Sequence, residues 1–588
     1  MPSGLHAPCA VRWLARLQRL RSRGYTCSES FAEGGLFKVA TYHEEPPAAP
    51  EAANAAPIGR KPSEVRYSSN LAGLVAAGIL LSRIAGLVRE SIFAHYLGNS
   101  AAADAFKAGF RIPNILQNLF GEGVLSASFI PVYSRLLGEG DEESADLLAW
   151  AVGAMLALAI SIFVVMGVFA APYLINVIAP GFHGDKRDLT IRLVRILFPG
   201  AGLLVMSAWC LGVLNSHHRF FASYAAPVAW NLAMITALIW YGPRSTQDRL
   251  AIDLAIASVA GAALQIAVQL PQTLPLLGGL RLHFDRVRGA LRTVFRNLLP
   301  VVVGRGVGQV SGYVDNLLAS LLPTGAVAAI NYAQILYFLP VSLFGLSVAA
   351  AELPSMSRAT AETNEGVFET LRLRLNAGLR QIAFFVVPSS VAFMFIGDAI
   401  VTLLFQSGAF THRDALYVWA TVAGVSIGML AGTTARLYIS AFYALSDPRT
   451  PFRFALVRVT LTLVLGYLCA IPLPHAIGLE QRWGVAGLTA SAGLAAWVEF
   501  VMLRLSLNRR LGWTGIDRRY LSRLWAMALA AAALGIAIKF SLHAGPRLTS
   551  LAVIAVYGAT YLGLAYLTGE PELNRFVNYA ARRLGRRG

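Results

Sequence analysis

Residues 149–171 read AWAVGAMLALAISIFVVMGVFAA, an unbroken apolar run with no charged side chain. The hydrocarbon core of a bilayer is about 30 Å thick and takes about 20 apolar residues to cross as a helix. A second run, LSRLWAMALAAAALGIAIKF at 521–540, keeps its cations near its two ends. Working outward from these, apolar segments alternate with short polar breaks over 69–97, 101–135, 145–171, 189–214, 222–241, 250–275, 298–321, 326–355, 376–405, 414–443, 452–473, 484–506, 521–542 and 548–568. The pattern predicts about 14 transmembrane helices. Composition agrees: of 588 residues, 56% are apolar and 14% charged, with a mean hydropathy of +0.56. A soluble globular chain carries about a quarter charged residues. Cytosolic, disordered, collagenous and small disulfide-rich classes are excluded, leaving an all-α polytopic membrane protein.

The net charge of +18 is explained by orientation rather than by nucleic acid, because basic residues gather in the cytoplasmic loops of membrane proteins. One alternating set of loops carries Arg135, Arg219, Arg281, Arg286, Arg288, Arg292, Arg296, Arg358, Arg372, Arg374, Arg449, Arg509, Arg510, Arg518 and Arg519. The other carries Lys186, Arg187, Arg244, Arg249, Arg413, Arg482 and Arg547. The richer set is placed in the cytoplasm, so both termini are expected there, with the basic tail Arg582, Arg583, Arg586 and Arg587. Residues 1–66 stand apart. They are expected to form a disordered cytoplasmic extension, with a Pro/Ala/Glu-rich linker at 43–58. Ahead of it, Arg12, Arg16, Arg19 and Arg23 alternate with apolar residues in a pattern suited to a membrane surface, or else precede the true start of the protein. The four cysteines include no CxxC or Cys/His ligand spacing, so neither a disulfide framework nor a metal site is expected.

Sliding the sequence on itself by about 222 residues gives an ordered internal match. Arg83 and Gly86 fall on Arg305 and Gly308, and Leu119-Phe-Gly121 with Ile130-Pro131 falls near Leu343-Phe-Gly345 with Leu353-Pro354. A shift of six spans preserves orientation, which predicts two six-helix lobes in parallel repeat with cargo handled between them. The expected divisions are an N-lobe at 67–275, a C-lobe at 276–506, and two added helices with the tail at 507–588.

A charge near a bilayer centre costs roughly 2.5–3.5 kcal/mol on insertion scales, so it usually faces protein or water. Ser82 and Arg89 share one helix face, and Arg83 and Glu90 the adjoining stripe. Asp104, Lys107, Arg111, Asn114, Asn118 and Glu122 recur every three or four residues and draw a polar stripe along the second span; Pro113 should bend that helix. Arg305, Gln309, Gly312 and Asn316 repeat the pattern in span seven beside Asp315, and Arg436 adds a cation in span ten. These residues point to a water-filled cavity, cationic on balance, for an anion such as phosphate or diphosphate, whose oxygens arginine binds in bidentate fashion. The alternative is that each arginine pairs with Glu90, Asp104 or Glu122, or snorkels; for Lys107, near the outer end of its span, snorkelling is the expectation. Gly304, Gly306 and Gly308 read as close helix packing, and His217-His218 as a solvated turn. No nucleophile motif is present, so no enzyme is expected.

At Ser82-Arg-Ile-Ala-Gly-Leu-Val-Arg-Glu90, Asp104-Ala-Phe106 and Arg111-Ile-Pro-Asn114 the sequence resembles the MurJ (MviN) lipid II flippase family. Phe120-Gly-Glu-Gly123, Ala179-Pro-Gly-Phe182, Gly408-Ala-Phe-Thr411 and Phe442-Tyr-Ala-Leu-Ser-Asp447 continue the resemblance over about 68–570. It implies membership of the multidrug/oligosaccharidyl-lipid/polysaccharide exporter superfamily, a V-shaped cavity between two lobes, and two extra helices whose groove takes a polyprenyl tail. The implied activity is moving undecaprenyl-diphosphate-linked glycopeptide from the inner to the outer leaflet of the bacterial inner membrane. That protein would be a monomer among membrane lipids, near the cell-wall synthesis enzymes. Ser82, Arg83, Arg89, Asp104 and Glu122 match family cavity positions, and Arg111 stands where a basic residue is common. The chain departs from the family at Gln117 and Asn118, and at Gln334 and Ile335, where cations are common; Arg305 is the expected compensation.

The other readings are a flippase for O-antigen or exopolysaccharide precursors, a small-cation antiporter, a non-transporting scaffold and a membrane glycosyltransferase. Predominantly arginine cavities disfavour the antiporter, and a scaffold needs no buried arginines. Coupling to a monovalent cation gradient or to the membrane potential is expected in place of a cofactor, with Asp315 as its candidate residue.

Overall fold

The structure is a computed structural model that describes residues 69–573 except 280–282, 284, 362–366 and 543. At 69–77, 79, 222, 303–311, 354–355, 357–361 and 367 it describes the backbone alone. The predicted extension at 1–66 and the basic tail from 574 onward lie outside the described residues.

Lipid offers no partners for backbone N–H and C=O groups, so spanning segments satisfy them internally as helices. All regular structure among the described residues is accordingly helical. The first six predicted spans are occupied by α1 (Ser69–Leu97), a broken run of α2 (Ala101–Arg111), α3 (Asn114–Phe120), α4 (Glu122–Ser128) and α5 (Ile130–Gly138), then α6 (Glu142–Ile178), α7 (Gly184–Ser216), α8 (Phe220–Tyr241) and α9 (Gln247–Thr273). The next six begin with α10 (Arg288–Ser320) and α11 (Ala326–Pro340), which passes through a π-helical turn at Val341–Leu346 into α12 (Ser347–Ala361). They continue with α13 (Val367–Phe395), α14 (Gly397–Phe405), α15 (His412–Ser426), α16 (Met429–Ala444), α17 (Arg449–Ala470), α18 (Pro472–Ala476) and α19 (Gly484–Leu511). Last come α20 (Arg518–Ser541) and α21 (Pro546–Leu567).

Among the described residues, 11 helices or helix runs are long and apolar enough to cross a membrane, and α15 with α16, bent by 42°, makes a twelfth. The 29-residue α1 and the 33-residue α10 are also long enough to span, which is compatible with the fourteen expected. Large apolar side chains lie open on the outside of the bundle, among them Leu158, Phe169, Tyr173, Phe540 and Tyr566. In water such a surface would be a liability; against acyl chains it is the required one. The chain is a multi-pass membrane protein.

Within the first group α7 packs on α9, α8 on α9, α1 on α8 and α6 on α7. Within the second α19 packs on α15, α16 and α17, and α13 on α16. The final pair pack on each other, α20 against α13 and α21 against α14.

The second span departs from the continuous stripe expected of it. Helix α2 stops at Arg111, Pro113 sits at the N-cap of α3, and the chain breaks again at Gly121, whose backbone is extended (φ −81°, ψ −160°). Proline lacks the N–H that would continue the helix, so the stripe turns at each break and Glu122 parts from Arg111 and Asn114. A tight backbone contact shapes the α15–α16 bend: a Cβ on Gly428 would fall 2.7 Å from the Gly493 carbonyl oxygen on α19.

Candidate functional site: a cationic chamber

A chamber of about 440 Å³ opens among α1, α2, α3, α8, α10 and α11. Arg83, Arg89 and Arg111 all line it, with Asn114, Asn118 and Gln334 as neutral polar neighbours. Arg83 is exposed to the chamber, while Arg89 and Arg111 are half-buried. Arg111 owes its position to Gly312 on α10, where a Cβ would collide with its guanidinium. It also lies 5.7 Å over the Tyr313 ring, and the Tyr313 hydroxyl donates to its carbonyl oxygen at 3.4 Å.

Arg89 is held from three directions. Its Nη1 donates to Asn231 Oδ1 at 3.1 Å, its Nη2 to Glu90 Oε1 at 2.6 Å, and its guanidinium lies 4.7 Å over the Trp230 ring. Such stacking suits the planar guanidinium. Glu90 Oε2 in turn accepts from Lys107 Nζ. Lys107 does not snorkel. It is 8% exposed, lines the chamber, and lies 4.2 Å from the Phe93 ring centre. The end of its span is covered by the second half of the chain rather than by water, so the aqueous exit that snorkelling needs is missing.

Asp104, matched to a cavity position, is instead 1% exposed and turned away from the chamber. Its Oδ2 accepts from Lys186 Nζ at 2.6 Å and from Gly325 N–H at 2.7 Å, and its Oδ1 from Ala328 N–H at 2.8 Å. The first N–H groups of a helix have no partner within it, and Asp104 supplies one to the start of α11. It thereby ties α2 to α7 and α11 at one end of the chamber.

That end is joined by further polar contacts between the two halves of the chain. Ala409 N–H donates to the His95 carbonyl at 2.7 Å, Ser91 Oγ to the Leu404 carbonyl at 2.5 Å and Tyr332 OH to the Gly98 carbonyl at 2.9 Å. Asn99 Nδ2 donates to Asp414 Oδ1 at 3.3 Å. An aromatic cluster fills the space between: Tyr332 lies 6.3 Å from Phe93, 5.2 Å from Phe405 and 5.5 Å from Phe410, centre to centre.

The remaining candidates stand outside the lining. Ser82 is half-buried one residue from Arg83, and Arg436 is half-buried on α16. Glu122 is exposed at the start of α4, beyond the Gly121 break. The side chain of Arg305 lies outside the described residues, so the expected compensation from span seven is not on view. Asp315 sits within electrostatic reach of Arg111 and Arg458. Its Oδ1 is buried without a hydrogen-bond partner among the described residues. Arg458 itself pairs with Glu499 at 2.9 Å. The site residue missed in sequence is Lys107 as a lining cation. The signal was present, since it shares the face of Arg111, but its depth depends on what covers the span's end.

The expected solvated turn at His217-His218 is half right. His218 is exposed, whereas His217 is half-buried with its Nε2 2.9 Å from Tyr133 OH. Burial lowers its pKa below the ordinary 6.5. Among the described residues no cluster of His, Cys, Asp and Glu has the arrangement of a metal site.

A profile of the family described as "Lipid II flippase MurJ" matches residues 93–556. A Burkholderia cenocepacia protein named "Lipid II flippase MurJ" is 31% identical over 516 residues, covering 84% of this chain and 96% of its own length. A Rhizobium tropici protein named "Probable lipid II flippase MurJ" is 30% identical, covering 85% and 94%. Among solved structures, "Lipid II flippase MurJ, inward closed conformation" superposes with a TM-score of 0.68 at 21% identity, covering 84% of this chain and 98% of that one. An inward-facing multidrug resistance transporter of the MATE family, MOP superfamily, superposes with a TM-score of 0.58 at 17% identity, covering 74% and 98%. These two likenesses are of fold.

Proposed function

This chain belongs to the lipid II flippase MurJ family, and from that premise we propose that it moves lipid-linked peptidoglycan precursor across the cytoplasmic membrane. The cargo is lipid II, the undecaprenyl-diphosphate-linked glycopeptide, carried from the inner to the outer leaflet. The observation that carries the reading is that Arg83, Arg89 and Arg111, from two different helices, converge on one chamber. Buried cations are expensive in a bilayer, and arginine forks match the oxygens of a diphosphate. The relatives are named as a flippase and a probable flippase.

The Arg-rich loops support cytoplasmic termini. In that orientation the end joined through Asp104 and Tyr332 faces outward, and the chamber is loaded from the cytoplasm. Parting of that end, with closure of the other, delivers the head group outside. The lobes at 67–275 and 276–506 are the moving bodies, and α20 and α21 provide the flank along which the polyprenyl tail stays in lipid. The proposed working unit is a monomer. Asp315, between Arg111 and Arg458, is the residue through which a cation gradient or the membrane potential acts; transport and ion dependence unchanged in Asp315→Asn would remove that role.

Complementation of a bacterium depleted of its own lipid II flippase tests the main reading. Wild type is expected to restore growth, and Arg83→Ala and Arg89→Ala to fail at equal membrane abundance. A well-expressed wild type that does not rescue would overturn it.

A further inference from the structure

The lining of the chamber lies on two levels. Helices α1 and α2 turn back on each other at Gly98–Ser100, which brings Phe93 against Phe106 and Glu90 against Lys107. Arg83 lies seven residues before Glu90 on α1 and Arg111 four residues after Lys107 on α2, which at 1.5 Å per residue sets them about 10 Å and about 6 Å farther from the turn. The level farther from the turn, Arg83 with Arg111, lies away from the joined end. The deep level, Arg89–Glu90–Lys107, lies against it, beside Phe93 and Phe106.

The deep level carries an unbalanced charge. Glu90 accepts from both Arg89 and Lys107, so two cations share one carboxylate and one positive charge is left over. That excess is buried: Lys107 is 8% and Glu90 5% exposed. Low dielectric magnifies an uncompensated charge, so the place favours a further anion. Lysine has three donors and arginine five, and Glu90 and Asn231 use only part of that set. Gln334 and Ile335 line the same chamber and bring no charge. The arrangement already grips one carboxylate, its own.

We propose that Lys107, with Arg89 beside it, forms a second anion subsite that takes a carboxylate of the cargo's peptide stem. The diphosphate occupies the Arg83–Arg111 level. The inference rests on the lipid II reading. The tether to the polyprenyl tail keeps the diphosphate near the lipid, and only the head group reaches the joined end. Glu90 holds the two cations together while the chamber is empty and shares them when the cargo's carboxylate arrives. Lys107 is thus a specificity residue that distinguishes a peptide-bearing cargo from a bare lipid-linked sugar.

The test is binding of two cargoes to the purified full chain: lipid II, and the same undecaprenyl-diphosphate disaccharide without its peptide. Lys107→Met preserves the apolar stem against Phe93. It is expected to weaken lipid II binding about tenfold, the scale of a lost charged hydrogen bond, and to leave the peptide-free cargo within about twofold. Lys107→Arg should restore the preference, and Arg83→Gln should weaken both cargoes alike. Equal loss on both cargoes in Lys107→Met would assign Lys107 to the diphosphate and overturn the proposal, and no loss on either would make it structural. The double variant Lys107→Met/Glu90→Gln removes the carboxylate left with one partner, and recovery of full lipid II binding there would also overturn it. A wild type that binds both cargoes equally sinks the subsite alone. One that binds neither sinks the lipid II reading as well.

Discussion

At Asp104 a single carboxylate serves two backbone N–H groups, of Gly325 and Ala328, and the Lys186 ammonium. Asp104→Ala strips all three at once and leaves Lys186 without its counter-charge. A loss of about 3–5 kcal/mol, the range for breaking a buried pair, is expected in thermal unfolding of the purified protein. Asp104→Asn, which retains an acceptor, should lose less; equal losses would show that the N–H bonds contribute little. His217 gives a prediction in pH. Burial is the largest influence and lowers its pKa, Arg219 and His218 act in the same direction, and Asp146 and Glu142 oppose them. Its neutral form is therefore the folded one. The associated stability is fully present above about 6.5 and is lost as pH falls through the unfolded value toward the lower folded one. His217→Gln should flatten the dependence of melting temperature on pH between about 7 and 5. An unchanged slope would assign the dependence to other groups. Both residues show where sequence stops informing. The arginines at 83, 89 and 111 were legible because a deep cation in an apolar helix has few explanations. Asp104 looks the same on paper, yet two of its three partners are backbone groups at 325 and 328, which leave no trace in residue identity.

Spans were the easiest elements to read, because backbone satisfaction in lipid forces each apolar run into a helix whatever its neighbours do. All fourteen predicted segments are helical. Their interruptions were less visible. Pro113 announces its break by chemistry and the Gly121 break is local, its backbone closing on the Gln117 carbonyl, whereas the π-helical turn at Val341–Leu346 and the α15–α16 bend sit against other helices, Gly345 on Thr433 and Gly428 on Gly493. At Gly428 the contact is with the Gly493 backbone of α19, which is close enough to exclude a Cβ. Gly428→Val should force these helices apart and destabilise the protein by about 1–3 kcal/mol, the usual scale of overpacking. Unfolding of the detergent-solubilised variant measures this, and a neutral result would mean that the bend yields without strain. The basic loops belong to the same scale, since their alternation favours one orientation where hydropathy alone favours neither.

For the whole molecule, the decisive feature is the seam that joins the two halves of the chain at one end of the chamber. One end is joined by Asp104, Tyr332 and the His95–Ala409 and Asn99–Asp414 contacts, all between segments far apart in sequence. A carrier that works by alternating access must break these contacts once per cycle, and a fixed structure would never break them. Asn99 and Asp414 are half-buried and hydrogen-bonded across the seam at 3.3 Å, so cysteines there can be bridged by a short bis-methanethiosulfonate reagent. The background chain has Cys9, Cys27, Cys210 and Cys469 replaced by Ser. Appearance of lipid II in the outer leaflet should stop as the Asn99→Cys/Asp414→Cys pair is bridged and resume on reduction, while either single variant treated alike should continue. The contribution of the seam to stability is small per contact, about 0.5–1.5 kcal/mol for each hydrogen bond. Such contacts can be exchanged for water and remade within a transport cycle, unlike the buried packing inside each half. Undiminished flipping after complete bridging would show that this end stays shut and that the cargo leaves by another route.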